Sequence, residues 1–199
     1  MTRFSLFFGT FLALFLAGCA SVPPSPASLG PLPIAQRQEV LAAVSHWVAQ
    51  GQASVRSQQG AQSFAFRWQQ GPKEQHLRIS GPLGTTLAEL SEDRGQALLV
   101  EANGHRATAP DMGTLLERVL GVSLPVAELP RWLLGIPMAA QVTQYDHSGL
   151  PVQAQWQDWQ LHYLRYQSIG SLELPALLEA RGPQGLQLRI AIESWRLGQ

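Results

Sequence analysis

The sequence is almost without cysteine, since Cys19 is the only one among its 199 residues. A chain with one cysteine forms no internal disulfide, and it lacks the cysteine sets that hold structural zinc ions. The folded part of the chain must therefore be held together by its core alone.

Charged residues are also sparse, at 14% of the chain, and the 14 basic residues equal the 14 acidic ones. A neutral chain of this kind has no electrostatic footprint for nucleic acid and no run of basic residues for anionic lipid. We therefore expect no nucleic-acid partner.

Motifs for catalysis and for metal binding are missing as well. Asp146-His147-Ser148 contains the residue types of a catalytic triad, but three consecutive residues cannot form one, and they predict a turn. The chain has no G-x-S-x-G elbow, no H-E-x-x-H pair and no glycine-rich phosphate loop. The histidines are scattered at positions 46, 76, 105, 147 and 162. We expect no enzymatic activity, no metal and no cofactor.

The N-terminus carries the strongest pattern that is present. Arg3 precedes a nearly continuous apolar run over residues 4–17, which is shorter than the roughly 20 residues of a membrane-spanning helix. The run ends in Leu16-Ala17-Gly18-Cys19, a pattern typical of the bacterial lipobox. It predicts a signal peptide over residues 1–18 and lipidation of Cys19. A stray cysteine after an ordinary signal peptide and an uncleaved anchor are the alternatives.

The segment after Cys19 is rich in Pro and Ser and has no charge up to Pro33, so residues 19–33 predict an extended tether. By analogy with lipoprotein sorting, Ala20 in place of aspartate favours the outer membrane. Residues 34–199 then form one domain of ordinary size.

Within that domain the hydrophobic pattern is mainly that of strands. An amphipathic helix is predicted over residues 34–48, with Arg37 among its polar positions. About ten short strands follow, with a strong hairpin signal at Asn103-Gly104. Asp111 and Gly121 bound a second helix, and residues 125–134 predict another helical segment. The pattern indicates a large antiparallel sheet, curled and partly covered by helices.

Aromatic residues are the candidates for an apolar binding surface. They could line one concave face and hold acyl chains, or they could simply fill the core, and the sequence leaves both interpretations open. Trp195 is out of phase with the apolar residues of its strand, which indicates either a bulge or packing on the other face. The cavity candidates are Phe64, Phe66, Trp68, Trp132, Trp159, Tyr163 and Trp195.

A second candidate site is the turn-rich segment Gly81-Pro82-Leu83-Gly84. Leu83 has little local structure to pack against. It either folds back under its own hairpin or forms an exposed apolar tip that touches lipid.

An ordered series of short motifs makes the chain similar to the LolB family over nearly all of the mature domain. P-L-G-T and W-L-L-G-x-P are the most specific of them, and Ser80 before Gly81 is a small departure. The series consists of Leu16-Ala17-Gly18-Cys19, Phe66-Arg67-Trp68-Gln69-Gln70, Gly81-Pro82-Leu83-Gly84-Thr85, Leu120-Gly121-Val122, Leu124-Pro125, Trp132-Leu133-Leu134-Gly135-Ile136-Pro137, Trp159 before Tyr163 and Tyr166, Leu174-Pro175 and Ile192-Glu193-Ser194-Trp195.

The resemblance implies a mainly β (α+β) fold, an open antiparallel half-barrel of about ten to eleven strands with a helical lid over an apolar cavity. It implies an outer-membrane lipoprotein, lipid-anchored on the periplasmic face and expected to be a monomer. This lipoprotein would receive acylated lipoprotein cargo from the LolA carrier and insert it into outer-membrane lipid, with Leu83 acting at the release step. The alternatives are a structural lipoprotein, or a lipid-binding module of similar fold without the hand-off.

Overall fold

The computed structural model describes residues 31–137 and 141–198, and eleven of its segments form one antiparallel sheet. The strand order is β6-β5-β4-β3-β2-β1-β11-β10-β9-β8-β7. The elements are α1 (Ile34–Ala43), β1 (His46–Ser57), β2 (Gly60–Gln70), β3 (Glu74–Ser80), β4 (Thr86–Asp93), β5 (Gln96–Glu101), β6 (Arg106–Ala109), α2 (Met112–Leu120), α3 (Leu129–Leu134), β7 (Val142–Tyr145), β8 (Pro151–Trp156), β9 (Trp159–Ile169), β10 (Leu172–Arg181) and β11 (Gln187–Gly198).

The sheet is open, because the first and last strands of this order, β6 and β7, are not paired with each other. Buried and exposed residues alternate along the strands, so one face of the sheet is apolar and the other faces solvent. Helix α2 packs against β4, β5 and β6, and α3 packs against β10. The expected open antiparallel half-barrel of ten to eleven strands, with helices on one face, is confirmed.

Helix α2 begins and ends where the sequence predicts, because capping residues fix both of its ends. The Asp111 carboxylate accepts a hydrogen bond from the Thr114 backbone N–H at 2.8 Å. Gly121 ends the helix with φ 72°, a conformation that glycine adopts without strain. The hairpin at Asn103-Gly104 joins β5 to β6 as predicted.

The first helix is shorter than the sequence pattern predicts. It ends at Ala43, and Trp47 and Val48 belong to β1 rather than to a helix over residues 34–48. Trp47 pairs with Gln70 of β2 and with Leu197 of β11, so it has ladder partners on both sides. Pairing of a strand in the middle of the sheet outweighs the helical spacing of its apolar residues.

A β-bulge explains why Trp195 is out of phase with the apolar residues of its strand. Gln50 pairs with Ser194, whereas the next residue, Gly51, pairs with Ile192, so Glu193 is the extra residue of β11. Gly51 has no room for a side chain because the Ala191 carbonyl oxygen occupies that space. Of the two interpretations, the bulge is the one that the structure shows.

Candidate functional site

The inner face of the sheet and the two covering helices enclose an apolar cleft. Its walls come from the middle of β1, β2, β3 and β11 on one side and from the segment 116–133 on the other. The lining residues are Ala53, Phe64, Phe66, Trp68, Leu77, Leu116, Leu120, Leu124, Leu129, Leu133, Leu188 and Ile190. Every one of these side chains is hydrophobic, so contact within the cleft is non-directional and scales with apolar area.

The cleft is nearly closed, with a volume of about 40 Å³. Pockets that hold drug-sized ligands have volumes of roughly 300–1,000 Å³. An acyl chain therefore enters this space only if the helical cover moves away from the sheet.

The structure divides the predicted cavity residues into two groups. Phe64, Phe66 and Trp68 line the cleft together, as consecutive inward positions of β2. The other four, Trp132, Trp159, Tyr163 and Trp195, pack elsewhere in or against the core.

Those four residues form aromatic contacts outside the closed cleft. Trp132 of α3 lies 5.9 Å from Trp156 and 6.0 Å from Trp159, measured between ring centroids. Trp195 lies 5.5 Å from Trp47, and its Nε1 donates a hydrogen bond to the Pro175 carbonyl at 3.2 Å. Their role in a widened cavity stays a prediction.

Polar donors are buried in this aromatic interior. Trp68 Nε1, Trp132 Nε1 and the Tyr163 hydroxyl are buried and have no hydrogen-bond acceptor among the described residues. Burial, with a further contribution from Tyr166, raises the pKa of Tyr163 well above its usual value, so its hydroxyl keeps its proton. A buried donor without a partner costs about 1–3 kcal/mol, so these groups favour any occupant that brings acceptors.

Arg37 is the site residue that sequence reasoning missed. It is 2% exposed, although the helical pattern placed it among solvent-facing polar residues. Its Nε donates to the Glu173 carbonyl at 2.7 Å, and its Nη1 and Nη2 donate to the carbonyls of Gly135 at 3.3 Å and Leu134 at 3.2 Å. The guanidinium also lies over the Tyr166 ring, 5.8 Å from its centroid.

These contacts join α1 to the C-terminal end of α3 and to β10. Burial lowers the pKa of Arg37, an effect opposed mainly by Tyr166. The signal that could have found it is spacing, because Arg37 lies four residues before the buried Leu41 on the same face of α1.

The loop between β3 and β4 presents Leu83 to solvent. Gly84 N–H donates to the Gly81 carbonyl at 2.9 Å, and Gly84 has φ 77°, which closes a tight turn. Leu83 is 93% exposed, so the alternative in which it folds back under its hairpin is wrong. Contact of this side chain with lipid stays a prediction.

The N-terminal predictions, including Cys19, concern residues outside those described. Among residues 31–137 and 141–198, no helix is long and apolar enough to cross a membrane. In the same ranges, no group of three or more His, Cys, Asp or Glu side chains is arranged to hold a metal ion.

The fold defines the class of protein. A solved LolA superfamily protein from Nitrosomonas europaea superimposes with a TM-score of 0.54 at 6% sequence identity, covering 83% of this chain and 91% of that chain. The two proteins therefore share the fold of an open half-barrel.

Sequence comparison then gives the family. The family profile described as outer membrane lipoprotein LolB matches residues 45–195. The outer-membrane lipoprotein LolB of Aeromonas salmonicida is 30% identical over 199 residues, covering all of both chains. That of Tolumonas auensis is 28% identical over 189 residues, covering 95% of each. The chain belongs to the LolB family.

The Arg37 contacts predict a large loss of stability when the guanidinium is removed. In Arg37→Met two buried carbonyls and one partly buried carbonyl lose their donors, and we expect the free energy of unfolding to fall by about 2–4 kcal/mol. The control is Gln36→Met on the exposed side of α1, expected to change it by less than about 0.5 kcal/mol. Urea unfolding followed by tryptophan fluorescence measures both, and equal values would show that Arg37 does not anchor α1.

The position of the cleft predicts that two buried leucines differ in how their replacement by alanine affects binding of a hydrophobic probe. Leu133 lines the cleft and Leu178 of β10 does not, and both are fully buried. Replacing either with alanine should destabilise the protein by about 2–5 kcal/mol. Only Leu133→Ala widens the cleft, so it alone should increase the fluorescence of bound N-phenyl-1-naphthylamine. Equal probe binding by the two variants would contradict this assignment of the cleft.

Proposed function

We propose that this protein is the outer-membrane receptor that takes acylated lipoproteins from the LolA carrier and inserts them into the membrane. The cleft beneath α2 and α3 receives the acyl chains, and the Leu83 loop directs them into lipid. The exposed leucine carries the proposal, because a protein that only stored lipid would have no use for an apolar tip outside its cavity.

The cleft suits acyl chains for two reasons. Its walls are apolar, and each CH₂ group that leaves water for such walls gains about 0.8 kcal/mol. The unpartnered donors of Trp68, Trp132 and Tyr163 can bond the ester and amide carbonyls at the head of the chains. Binding therefore needs no recognition of the attached protein, which fits a receptor for many lipoproteins.

Opening of the cover supplies the space. Helix α3 has six residues and α2 has nine, and helices this short depend on packing rather than on their own stability. Acyl chains that enter from the carrier replace the contacts of α2 and α3 with the sheet. Transfer then runs downhill from carrier to cleft to bilayer, driven by apolar burial, and no bond chemistry or nucleotide is required.

The N-terminus completes the proposal. Cys19 carries the acyl groups that hold the protein on the periplasmic face of the outer membrane, residues 19–33 form the tether, and residues 34–199 form the monomeric receptor domain. Two or three acyl chains give stable anchoring, whereas one does not.

Lipidation has a direct test in cells. Wild type should incorporate labelled palmitate and fractionate with the outer membrane, while Cys19→Ala should incorporate none and lose its membrane association. Palmitate in the Cys19→Ala protein would show that the anchor lies elsewhere.

The membrane step has a matched pair of variants. Leu83→Glu places a charge at the loop tip, whereas Leu164→Glu places one at an exposed leucine of β9, which is 52% exposed. Both proteins, lipidated and reconstituted in vesicles, should accept cargo from a LolA–lipoprotein complex. Only Leu83→Glu should retain cargo instead of delivering it, with a rate reduced by about tenfold or more, as expected from the 1.5–3 kcal/mol of one buried leucine.

Two results would contradict the proposal. Normal delivery by Leu83→Glu would remove the loop from the membrane step. Failure of folded wild type to take cargo from LolA, with free lipid still bound, would favour a lipid-binding module without hand-off.

A further inference from the structure

The outer face of strands β2–β6, turned away from the helices, carries a row of residues paired side by side across five strands. Arg67 is opposite Arg78, Arg78 is opposite Glu89, Glu89 is opposite Val100, and Val100 is opposite Arg106. Residues in this relation have Cβ atoms about 4.5–5.5 Å apart. Three arginines that are distant in sequence thus lie along one line across the sheet, with Glu89 and Val100 between the second and the third.

The positive charge of this row is only partly neutralised. Arg78 Nη2 lies 2.8 Å from the Glu89 carboxylate. Within residues 31–137 and 141–198, neither the half-buried Arg67 nor the exposed Arg106 forms an ion pair. Like charges placed directly opposite each other, as Arg67 and Arg78 are, destabilise a sheet. An anion bound between them would relieve this repulsion.

A depression of about 480 Å³ lies over the same strands. Besides Arg67, Arg78 and Glu89, its polar lining includes Gln69, His76 and Ser91. Guanidinium groups match phosphate oxygens in a bidentate geometry, and amide and hydroxyl groups supply further donors. The depression has the chemistry of a phosphate site.

The face continues toward the Leu83 loop without further charge. The pairs on that side, Ala65 with Ser80 and Ser80 with Thr86, are uncharged. Leu87 lies two residues before Glu89, on the same face, and is 47% exposed. Leu87 packs over Gly81, since its Cδ2 lies 3.7 Å from the position that a Cβ atom would take there. This leucine therefore covers the base of the loop.

The distances fit a membrane surface. Arg78 precedes the end of β3 at Ser80 by two residues, which is about 7 Å along a strand. The headgroup layer on each side of a bilayer is about 5–8 Å thick. With Ser80, at the base of the loop, at the hydrocarbon boundary and Leu83 beyond it, the arginine row therefore reaches the depth of the lipid phosphates.

We propose that this row, together with Leu87, is a second membrane-contact surface that binds the phosphate groups of lipid headgroups. It rests on the membrane-facing loop of the proposed function but needs no cargo. It would hold the receptor domain in a fixed orientation, with the loop inserted and the loop end of the outer face of β2–β6 in the headgroup layer.

The test uses the mature chain, residues 19–199, with Cys19→Ala, so that acyl groups do not dominate binding. Flotation measures partitioning onto vesicles of phosphatidylcholine mixed with phosphatidylglycerol. Arg67→Gln with Arg106→Gln should weaken partitioning by roughly thirtyfold. The control, Arg56→Gln with Arg165→Gln, removes the same charge from exposed positions on β1 and β9 and should leave it nearly unchanged.

Leu87→Gln tests the apolar contribution of the proposed surface without changing its charge. It should weaken partitioning about tenfold, whereas Leu164→Gln should not. Thermal unfolding confirms that each variant is folded, and Arg106→Gln alone replaces the double variant if that protein is unstable.

Three results would overturn the proposal. They are equal losses in the two arginine pairs, unchanged binding by Leu87→Gln, and displacement by inorganic phosphate at matched ionic strength, which would indicate a site for free phosphate. Because no cargo is present, failure of the transfer assay leaves these measurements unaffected.

Discussion

The contact between one curved sheet and two short helices is the interaction on which the rest of this structure depends. Eleven strands present a broad apolar inner face, and the covering helices α2 and α3 have nine and six residues. Dense apolar packing closes the interior to about 40 Å³. Such packing has no directional component, so under the proposed function acyl chains can replace it, and the specific bonds lost are those at the ends of the two helices. A core that is stable when closed and also able to accept lipid follows from this exchange.

Arg37 limits how the cover can move. Its three hydrogen bonds are directional, and they fix α1 to the end of α3 at Leu134 and Gly135. Burying a guanidinium without a carboxylate is unfavourable, and here three carbonyls and the Tyr166 ring compensate. The other helix of the cover, α2, is also fixed at both ends, because the Met112 N–H donates to the Glu92 carboxylate at 2.8 Å and Gln62 Nε2 donates to the Leu120 carbonyl at 3.2 Å. Movement of either helix away from the sheet therefore breaks hydrogen bonds as well as apolar contacts.

The sequence predicted those parts of the molecule that short-range chemistry determines. The period-two pattern, the Asn103-Gly104 turn, and the Asp111 and Gly121 helix ends depend on neighbouring residues, and the structure has all of them. The predicted boundary between α1 and β1 was wrong. Trp47 belongs to β1 because this strand pairs with others, and one of them, β11, lies far along the chain. The burial of Arg37 depends on how α1 packs against α3 and β10, and the row of Arg67, Arg78 and Arg106 depends on the register between strands. Neither can be read from the local sequence pattern. A chain without a basic run in its sequence thus has a basic line on its surface.

Alternation alone places Phe64, Phe66 and Trp68 on one face of a strand, and all three line the cleft, while their contact with acyl chains stays a prediction. It could not separate them from Trp132, Trp159 and Tyr163, whose neighbours are set by contacts between elements distant in the sequence. The two groups share one property. Each contains buried donors without a hydrogen-bond partner among the described residues, on Trp68 in the first group and on Trp132 and Tyr163 in the second. Each of these donors raises the free energy of the closed state by about 1–3 kcal/mol, and an acyl ester or amide carbonyl removes that penalty. This penalty belongs to the closed state, so under the proposed function it favours the entry of cargo over the empty cleft.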